Sequence, residues 1–168
     1  ATAREQFRFL QVSTDEVYGA LGMDGTFDED SPYRPNSPYA ASKASADHFA
    51  RAFARTYNMP ILLTNCGNNY GPRQFPEKLI PLTILNAVAG KKLPVYGAGE
   101  QVRDWIHVDD HAAALRAVVA KGVPRETYLI GARGERKNID VVRQICQILD
   151  QVKPRRDGAS YATQIEFV

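Results

Sequence analysis

The chain has 168 residues, a formal net charge of +2, and 44% hydrophobic and 24% charged residues. This is the composition of an ordinary soluble globular protein with a real core, and the small net charge predicts no strong attraction to nucleic acid or to an anionic membrane. The first eight residues contain two arginines and no apolar run, so we expect no signal peptide, and no apolar stretch reaches the ~20 residues of a membrane span.

In the first part of the chain, short apolar segments alternate with a helical one. Residues 7–13 predict a buried strand, residues 19–37 a long loop rich in Gly, Pro, Asp and Ser, and residues 60–64 a second strand. Residues 38–57 predict a helix with Ser37 as its N-cap and Pro38 in its first turn. A loop as long as 19–37 in a compact domain is usually functional or mobile.

The second part continues the alternation. We predict a polar loop over 65–75, a helix over 76–89 that Gly90 ends, and short strands over 93–96 and 104–108. Asp109 is predicted to cap a helix that runs to about residue 121, and residues 126–131 to form a strand. Asn138 is predicted to cap a helix to about residue 152, and residues 165–168 to begin a last strand. The pattern predicts an α/β fold with a largely parallel sheet.

The glycine pattern of dinucleotide-binding sheets is missing from this sequence. Such sheets begin with a strand, a Gly-rich turn and a helix that holds a pyrophosphate. Gly97 and Gly99 form a Gly-Ala-Gly segment, but Glu-Gln-Val follows and the pattern is not completed. Either the chain binds no dinucleotide, or the first half of the sheet lies outside it, and the apolar strand at its start favours the second explanation.

Two adjacent carboxylates follow the first predicted strand. Thr14, Asp15 and Glu16 lie in the segment STDEVYG, residues 13–19. Two carboxyl groups in unequal environments can act as an acid and a base, and the threonine hydroxyl can donate to a carbonyl oxygen. A solvated turn is the alternative explanation of the two charges.

Tyr39 and Lys43 lie four residues apart and therefore share one face of the predicted helix. An ammonium near a phenol is expected to lower its pKa, so that the phenolate can accept a proton from a hydroxyl group while hydride leaves the same carbon. Such pairs also arise by chance, as an aromatic ring packed on a lysine stem.

Further polar groups follow the second predicted strand or stand alone. Asn65, Asn68 and Asn69 lie where ligands bind in open α/β sheets, although Asn also favours turns. The candidate anion contacts are Arg73, Lys78, Arg103 and Arg133, of which Arg103 is favoured because it lies beside glycines that allow close approach. The three histidines (His48, His107 and His111) and the two cysteines (Cys66 and Cys146) show no metal-ligand spacing, so we predict no metal. The cysteines are expected to be reduced, buried thiols of a cytoplasmic protein.

Taken together, these motifs resemble the dTDP-glucose 4,6-dehydratases, which are extended short-chain dehydrogenases/reductases. The resemblance runs from about residue 7 to 168 and rests on five segments: STDEVYG (13–19), SPYAASKA (37–44), NCGNNYGP (65–72), FPEKLI (75–80) and VYGAGEQVRDW (95–105). Related epimerases usually carry Ser-Ser in place of Thr-Asp-Glu, and GDP-mannose dehydratases and UDP-glucuronate decarboxylases carry Thr-Ser-Glu. Asp15 is therefore the discriminating residue.

The resemblance implies a fold and a domain plan. It implies a single incomplete domain over 1–168, made of the C-terminal part of a Rossmann-like, doubly wound sheet and part of a smaller sugar-nucleotide-binding region. The N-terminal Gly-rich βαβ unit would be absent. Approximately 1–75 and 97–121 would form the Rossmann-like part, and 76–96 and 122–168 the substrate-binding part.

The resemblance also implies the reaction, which dehydrates dTDP-glucose to dTDP-4-keto-6-deoxyglucose with NAD as cofactor. Tyr39, with its pKa lowered by Lys43, would take the proton of the sugar 4-hydroxyl while hydride passes to NAD, and Thr14 would hydrogen-bond the oxygen at C4. Glu16 would remove the C5 proton, and Asp15 would protonate the departing 6-hydroxyl before hydride returns to C6.

Binding roles and partners follow from the same resemblance. The cofactor-binding residues would be Ser13, Tyr39, Lys43 and Asn69. The substrate-binding residues would be Thr14, Asn68, Lys78, Leu79, Pro94, Tyr96, Arg103 and Asn138. Helix 38–57 would contribute to a homodimer, with core packing of its aromatic side chains as the alternative. Two other functions stay open: another nucleotide-sugar epimerase or decarboxylase, and a non-catalytic piece that binds only a sugar nucleotide or a partner subunit.

Overall fold

The computed structural model describes residues 7–21 and 25–168, so residues 22–24 of the predicted loop and the first six residues lie outside the described part. The strands are β1 (Phe9–Thr14), β2 (Ile61–Cys66), β3 (Asn68–Tyr70), β4 (Leu93–Val95), β5 (Val102–His107), β6 (Thr127–Ile130), β7 (Glu135–Lys137) and β8 (Ile165–Phe167). The α-helices are α1 (Pro38–Tyr57), α2 (Leu79–Val88), α3 (Val108–Lys121) and α4 (Asn138–Val152). Two 3-10 turns cover Asp15–Tyr18 and Tyr161–Gln164.

The chain divides into two compact units. The first comprises the described residues up to Asn69 together with Ile106–Ala132, and the second comprises Tyr70–Trp105 and Arg133–Val168. Segment 97–105 therefore lies in the second unit and segment 122–132 in the first, which differs from the boundaries expected from the sequence. The assignment of one part to a Rossmann-like half and the other to substrate binding stays a prediction.

The first unit is built on a parallel three-stranded sheet in the order β1-β2-β6. All six residues of β2 are buried, as expected for a central strand covered on both faces. Ile61 packs with alanines of α1, whereas Cys66 packs with Ala114 and Leu115 of α3. Because side chains alternate between faces along a strand, α1 and α3 cover opposite faces of this sheet. The predicted α/β fold with parallel strands is confirmed.

Helix α1 has the bounds that the sequence predicts, and its composition explains why. Ser37 is the N-cap, and its side chain accepts a hydrogen bond from the backbone N–H of Ala40 at 3.1 Å. The buried positions Ala40, Ala44, Asp47, Ala50 and Ala54 recur every three or four residues. Small residues on this stripe let the helix lie close to the sheet.

The loop after the 3-10 turn is fixed at its two ends. Gly19 has φ = +94°, and a Cβ there would lie 2.5 Å from the carbonyl oxygen of Arg34, so only glycine fits. The N–H of Arg34 donates to the carbonyl of Val17 at 2.9 Å. Phe27 and Tyr33 of the loop pack around Tyr18. The described part of the predicted loop thus contributes to a small core of its own.

The second unit combines two short sheets with two helices. Strands β4 and β8 pair in parallel, and β5 and β7 pair antiparallel. Helices α2 and α4 pack together over a core that includes Leu93, Val142, Cys146 and Tyr161. Residues 97–101 bend back onto the start of α4, where the N–H of Ile139 donates to the carbonyl of Gly99 at 3.1 Å.

Several local predictions are wrong, each for a physical reason. Asn65 and Cys66 belong to β2 and not to a loop, because both are buried and continue the pairing with β1. Strands β3 and β7 were not predicted, since both are three residues long and polar. His107 caps α3 in place of Asp109, with its ring nitrogen Nδ1 accepting from the N–H of Asp109 at 3.3 Å. Asn138 is the first residue of α4, and Lys137 occupies the cap position, where its side chain makes no capping hydrogen bond to the helix.

Candidate functional site

The carboxyl ends of the three parallel strands lie at one edge of the first unit's sheet. Thr14, the last residue of β1, pairs with Cys66, the last residue of β2, and Cys66 pairs with Ile130 of β6. The segments that leave this edge carry Asp15 and Glu16 after β1, and Asn68 and Asn69 after β2. Ligands of open α/β sheets bind at this edge.

Thr14 holds the two carboxylates in a tight turn directly after β1. Its hydroxyl accepts a hydrogen bond from the N–H of Glu16 and donates to Oδ1 of Asp15, both at 3.3 Å. Thr14 is buried, whereas Asp15 and Glu16 are half-buried. The turn therefore breaks the strand's alternation and presents two adjacent carboxyl groups at the edge of the sheet.

Tyr39 and Lys43 reach the same edge from α1. Tyr39 lies in the first turn of the helix with 55% of its surface exposed. Lys43 lies one turn later, and its Nζ donates to the carbonyl of Val12 in β1 at 2.7 Å. This hydrogen bond joins Lys43, one of the two candidate catalytic residues of α1, to β1, the strand that Asp15 and Glu16 follow.

The pKa of Tyr39 is raised, which contradicts the lowering expected from Lys43. Partial burial is the largest cause, and electrostatic interactions with Glu16, Cys66 and Asp15 also raise this pKa. Lys43 is not among the groups that change this pKa, and its ammonium donates to the Val12 carbonyl. The electrostatic influence of Asp15 and Glu16 on Tyr39 nevertheless indicates that phenol and carboxylates share one site.

Cys66 and Asn69 belong to the same cluster. The amide nitrogen of Asn69 donates to the Cys66 sulfur at 3.5 Å and to the Gly67 carbonyl at 3.3 Å. Burial raises the pKa of Cys66, and Asp15 raises it further, while the Asn69 hydrogen bond and Lys43 lower it. Sequence spacing alone predicts only a buried thiol at Cys66, because its neighbours at the site come together through tertiary packing.

Ser13 and Asn65 point into the protein and not toward the open edge. Ser13 is 4% exposed, and its hydroxyl donates to Oδ2 of Asp47 at 2.7 Å. Asn65 is fully buried; its amide donates to the Thr14 carbonyl at 3.0 Å, and its Oδ1 accepts from the Tyr18 hydroxyl at 3.2 Å. The Ser13 hydroxyl is thus engaged by Asp47, and the cofactor contact of Ser13 stays a prediction. Asp47 itself was missed, although its position four residues after Lys43 places it on the same helix stripe.

The other predicted substrate contacts, apart from Asn68 in β3, lie in the second unit. Tyr96 is 76% exposed, and Lys78 and Arg103 are also exposed. Arg103 lies in β5 directly opposite Arg136 of β7. Pro94, Leu79 and Asn138 are half-buried in β4, at the start of α2 and at the start of α4. These positions offer two cationic groups, one phenol and one amide to a ligand.

Two further observations concern metal binding and a second groove. Among residues 7–21 and 25–168, no cluster of three or more His, Cys, Asp or Glu side chains could hold a metal ion. An open groove of about 470 Å³ lies beside Arg51, Ile61 and Thr127, at the amino ends of β2 and β6 and therefore away from the carboxylates.

The described helices were also compared with the length and hydropathy of a membrane span. Within the part of the chain that the structure covers, no helix is long and apolar enough to cross a membrane.

The known proteins that this chain is similar to include several dTDP-glucose 4,6-dehydratases. The chain is 60% identical over 167 residues to a dTDP-glucose 4,6-dehydratase of Xanthomonas campestris pv. campestris (strain B100), covering 99% of this chain and 48% of that protein. The crystal structure of dTDP-glucose 4,6-dehydratase from Bacillus anthracis str. Ames in complex with NAD is 52% identical, with a TM-score of 0.87 over 96% of this chain and 49% of that one. The enzyme from Streptomyces venezuelae, also solved with NAD, is 44% identical, with a TM-score of 0.86 and coverage of 96% and 47%.

The predicted resemblance to dTDP-glucose 4,6-dehydratases is therefore confirmed, and the chain spans about half the length of the relatives it matches. A family model described as GDP-mannose 4,6 dehydratase matches residues 1–167. With 167 of its 168 residues inside that match, the chain belongs to the GDP-mannose 4,6 dehydratase family.

Proposed function

We propose that the full-length protein dehydrates dTDP-glucose to dTDP-4-keto-6-deoxyglucose. The observation that carries this proposal is the meeting of Thr14, Asp15 and Glu16 with Tyr39 and Lys43 at the carboxyl edge of one parallel sheet. A phenol beside an ammonium suits oxidation of an alcohol, and two adjacent carboxyl groups suit an elimination. The names of the relatives support the same substrate.

NAD is the cofactor that the proposed reaction needs, and when bound it supplies the acceptor and donor of hydride. The part of the site in this chain fits its sugar end, since the Tyr39 phenol and the Lys43 ammonium lie at the sheet edge and can hydrogen-bond hydroxyl groups. Asn69, half-buried beside Cys66, would border the same region. The relatives solved with NAD support this assignment.

The residues divide the proposed reaction between them. Tyr39 takes the proton of the sugar 4-hydroxyl, and Lys43 favours the phenolate once its ammonium faces that ring. Thr14 donates a hydrogen bond to the oxygen at C4. With C4 oxidised, the C5 hydrogen is acidic and Glu16 removes it, while Asp15 gives a proton to the oxygen that leaves C6 as water. Return of one hydride to C6, matching the hydride lost from C4, and of one proton to C5 completes a net loss of one water molecule.

The second unit supplies the proposed contacts with the nucleotide part of the substrate. Arg103 would neutralise diphosphate charge, because its exposed guanidinium has, within residues 7–21 and 25–168, only the Val102 carbonyl as a hydrogen-bond acceptor, at 3.3 Å. Lys78, Tyr96 and Asn138 would add polar contacts, with Leu79 and Pro94 as apolar neighbours. Asn68 would contact the same ligand from β3.

Asp15 separates this proposal from that of an epimerase or a decarboxylase. Neither of those reactions needs an acid for a leaving 6-hydroxyl, and Asp15 stands where their relatives carry serine. A non-catalytic role, in which the protein only binds a sugar nucleotide or a partner subunit, would need neither Tyr39 nor Glu16 in this arrangement.

Mass spectrometry of dTDP-glucose incubated with the full-length protein and NAD tests the proposal. We expect the mass of the sugar nucleotide to fall by one water. Unchanged dTDP-glucose would contradict the dehydratase function. Turnover of UDP-galactose or UDP-glucuronate without water loss would support the epimerase or decarboxylase alternative instead.

We also propose a homodimer that uses α1, and a cytoplasmic location. Phe49, Phe53 and Tyr57 are 67%, 48% and 66% exposed, so the described part of the chain leaves these aromatic side chains uncovered. Exposed apolar side chains that cluster on one helix are typical of an interface. Cys66 and Cys146 are free thiols in the structure, which supports a reducing compartment.

A further inference from the structure

Asp47 is a buried carboxylate with an unusual number of hydrogen-bond donors. Its side chain is fully buried in the middle of α1. Oδ2 accepts from the Ser13 hydroxyl at 2.7 Å, from the Tyr33 hydroxyl at 3.0 Å and from the Asn65 amide at 3.4 Å. Oδ1 accepts from the Gln11 amide at 3.3 Å. A charge buried in this way is retained only when its partners are well placed.

These four donors come from three separate parts of the first unit. Gln11 and Ser13 lie in β1, Asn65 lies in β2, and Tyr33 lies in the loop that precedes α1. The same Asn65 amide also donates to the Thr14 carbonyl at 3.0 Å. The Asp47 carboxylate therefore connects α1 to β1 and β2, the two strands whose carboxyl ends lie at the candidate site.

The position of Asp47 along α1 aligns it with the proposed catalytic pair. It follows Lys43 by four residues and Tyr39 by eight, so all three lie along one side of the helix. A shift or rotation of α1 against β1 would move the Tyr39 phenol relative to Thr14, Asp15 and Glu16. The Lys43 bond to the Val12 carbonyl is a second tie to the same strand.

Asp47 has no ion-pair partner among the described residues, so hydrogen bonds alone hold it. Arg51, one turn after Asp47 on α1, donates to the Tyr33 hydroxyl and to Thr127, each at 3.2 Å. Hydrogen bonds are directional, and a set from β1, β2 and a loop fixes the helix in register better than apolar alanine contacts would.

We propose that Asp47 is a positioning residue that holds α1 in register with the ends of β1 and β2, so that Tyr39 faces the C4 hydroxyl of the same sugar on which Thr14, Asp15 and Glu16 act. This inference rests on the proposed dehydratase function. It predicts that loss of the Asp47 charge slows the oxidation step, which depends on the alignment of Tyr39, more than it weakens substrate binding.

The test replaces Asp47→Asn in the full-length protein with NAD and follows kcat, KM for dTDP-glucose, and the isotope effect of deuterium at C4 of the sugar. Asparagine keeps the size of the side chain but removes the charge. We expect kcat to fall by about 10- to 100-fold, because small misplacements of a catalytic group have effects of this order. KM should stay within about threefold, and the isotope effect should rise because the oxidation step becomes slower than the others.

Two further variants make the test specific. Tyr33→Phe removes one donor to Asp47 and should change the isotope effect in the same direction by less, and it serves as the test if Asp47→Asn does not fold. Ser45→Ala is the matched control on α1, since the Ser45 hydroxyl is exposed and bonds only the Ala41 carbonyl of its own helix. A smaller active fraction with an unchanged isotope effect would overturn the positioning role. Wild-type protein that removes no water from dTDP-glucose would overturn the proposed function as well.

Discussion

At the scale of single residues, the pKa of Tyr39 is the property that is hardest to predict from the sequence. A lysine four residues along a helix predicts a lowered pKa, but burial, Glu16, Cys66 and Asp15 raise it, and Lys43 donates to a backbone carbonyl. The pKa of the Tyr39 phenol in the ligand-free protein is therefore raised above its ordinary value. The direction of the pKa shift depends on which groups surround the Tyr39 ring in the folded protein. The spacing of residues in the sequence does not show which groups these are.

The charge of Glu16 should be measurable in the titration of Tyr39. Because Glu16 is the second-largest cause that raises this pKa, Glu16→Gln is expected to lower it, so that the phenolate forms at a less alkaline pH. The measurement is the pH-dependent phenolate absorbance of the ligand-free protein, taken as the difference from the same protein with Tyr39→Phe. Glu126→Gln, which is not among the groups that shift Tyr39, is the control. An unshifted midpoint in Glu16→Gln would show that the two groups do not share a site.

Other residues show what spacing can and cannot predict. Thr14, Asp15 and Glu16 follow a strand in the sequence, and the structure places them at its end as expected. Ser13 is one residue earlier, and the alternation of strand faces turns its hydroxyl inward to Asp47. That bond joins residues 34 apart in the sequence, so it depends on tertiary packing, which no local pattern contains.

At the scale of elements, helices were easier to predict than short strands and caps. Helix α1 has a serine cap, a proline in its first turn and a regular alanine stripe, which are three independent local signals. Strand β7 has the sequence ERK and is exposed throughout, so neither apolar alternation nor length marks it. The His107 cap of α3 was missed because histidine is rarely a cap residue, whereas the aspartate two residues later is a common one.

The exposed aromatic side chains of α1 lead to a prediction about association. The double change Phe49→Ser and Phe53→Ser should weaken the proposed homodimer, because it removes apolar surface that association would bury. Sedimentation of the full-length protein over a range of concentrations measures this, with Val123→Ser, an exposed apolar residue in a loop, as the control. A dimer of unchanged affinity would assign these side chains a role other than the interface.

At the scale of the whole molecule, the alternation of strands and helices predicts the fold class but not the division of the chain. The parallel sheet β1-β2-β6 and its two covering helices agree with a doubly wound architecture. The two compact units alternate along the chain, with strand β5 spanning a boundary between Trp105 and Ile106. A strand that continues from one unit into the next looks uninterrupted in the sequence, so no local pattern marks this division.

The central claim is a division of labour, in which Tyr39 serves the oxidation at C4 and the carboxylate pair serves the loss of water. A single-turnover experiment with Asp15→Asn and dTDP-glucose in the full-length protein with NAD, analysed by mass spectrometry after rapid quenching, tests it most directly. We expect the variant to accumulate the 4-keto sugar that still carries its 6-hydroxyl, with water loss slowed by about 100-fold or more, as for removal of a general acid. Formation of the dehydrated product at the wild-type rate would contradict this account of the site.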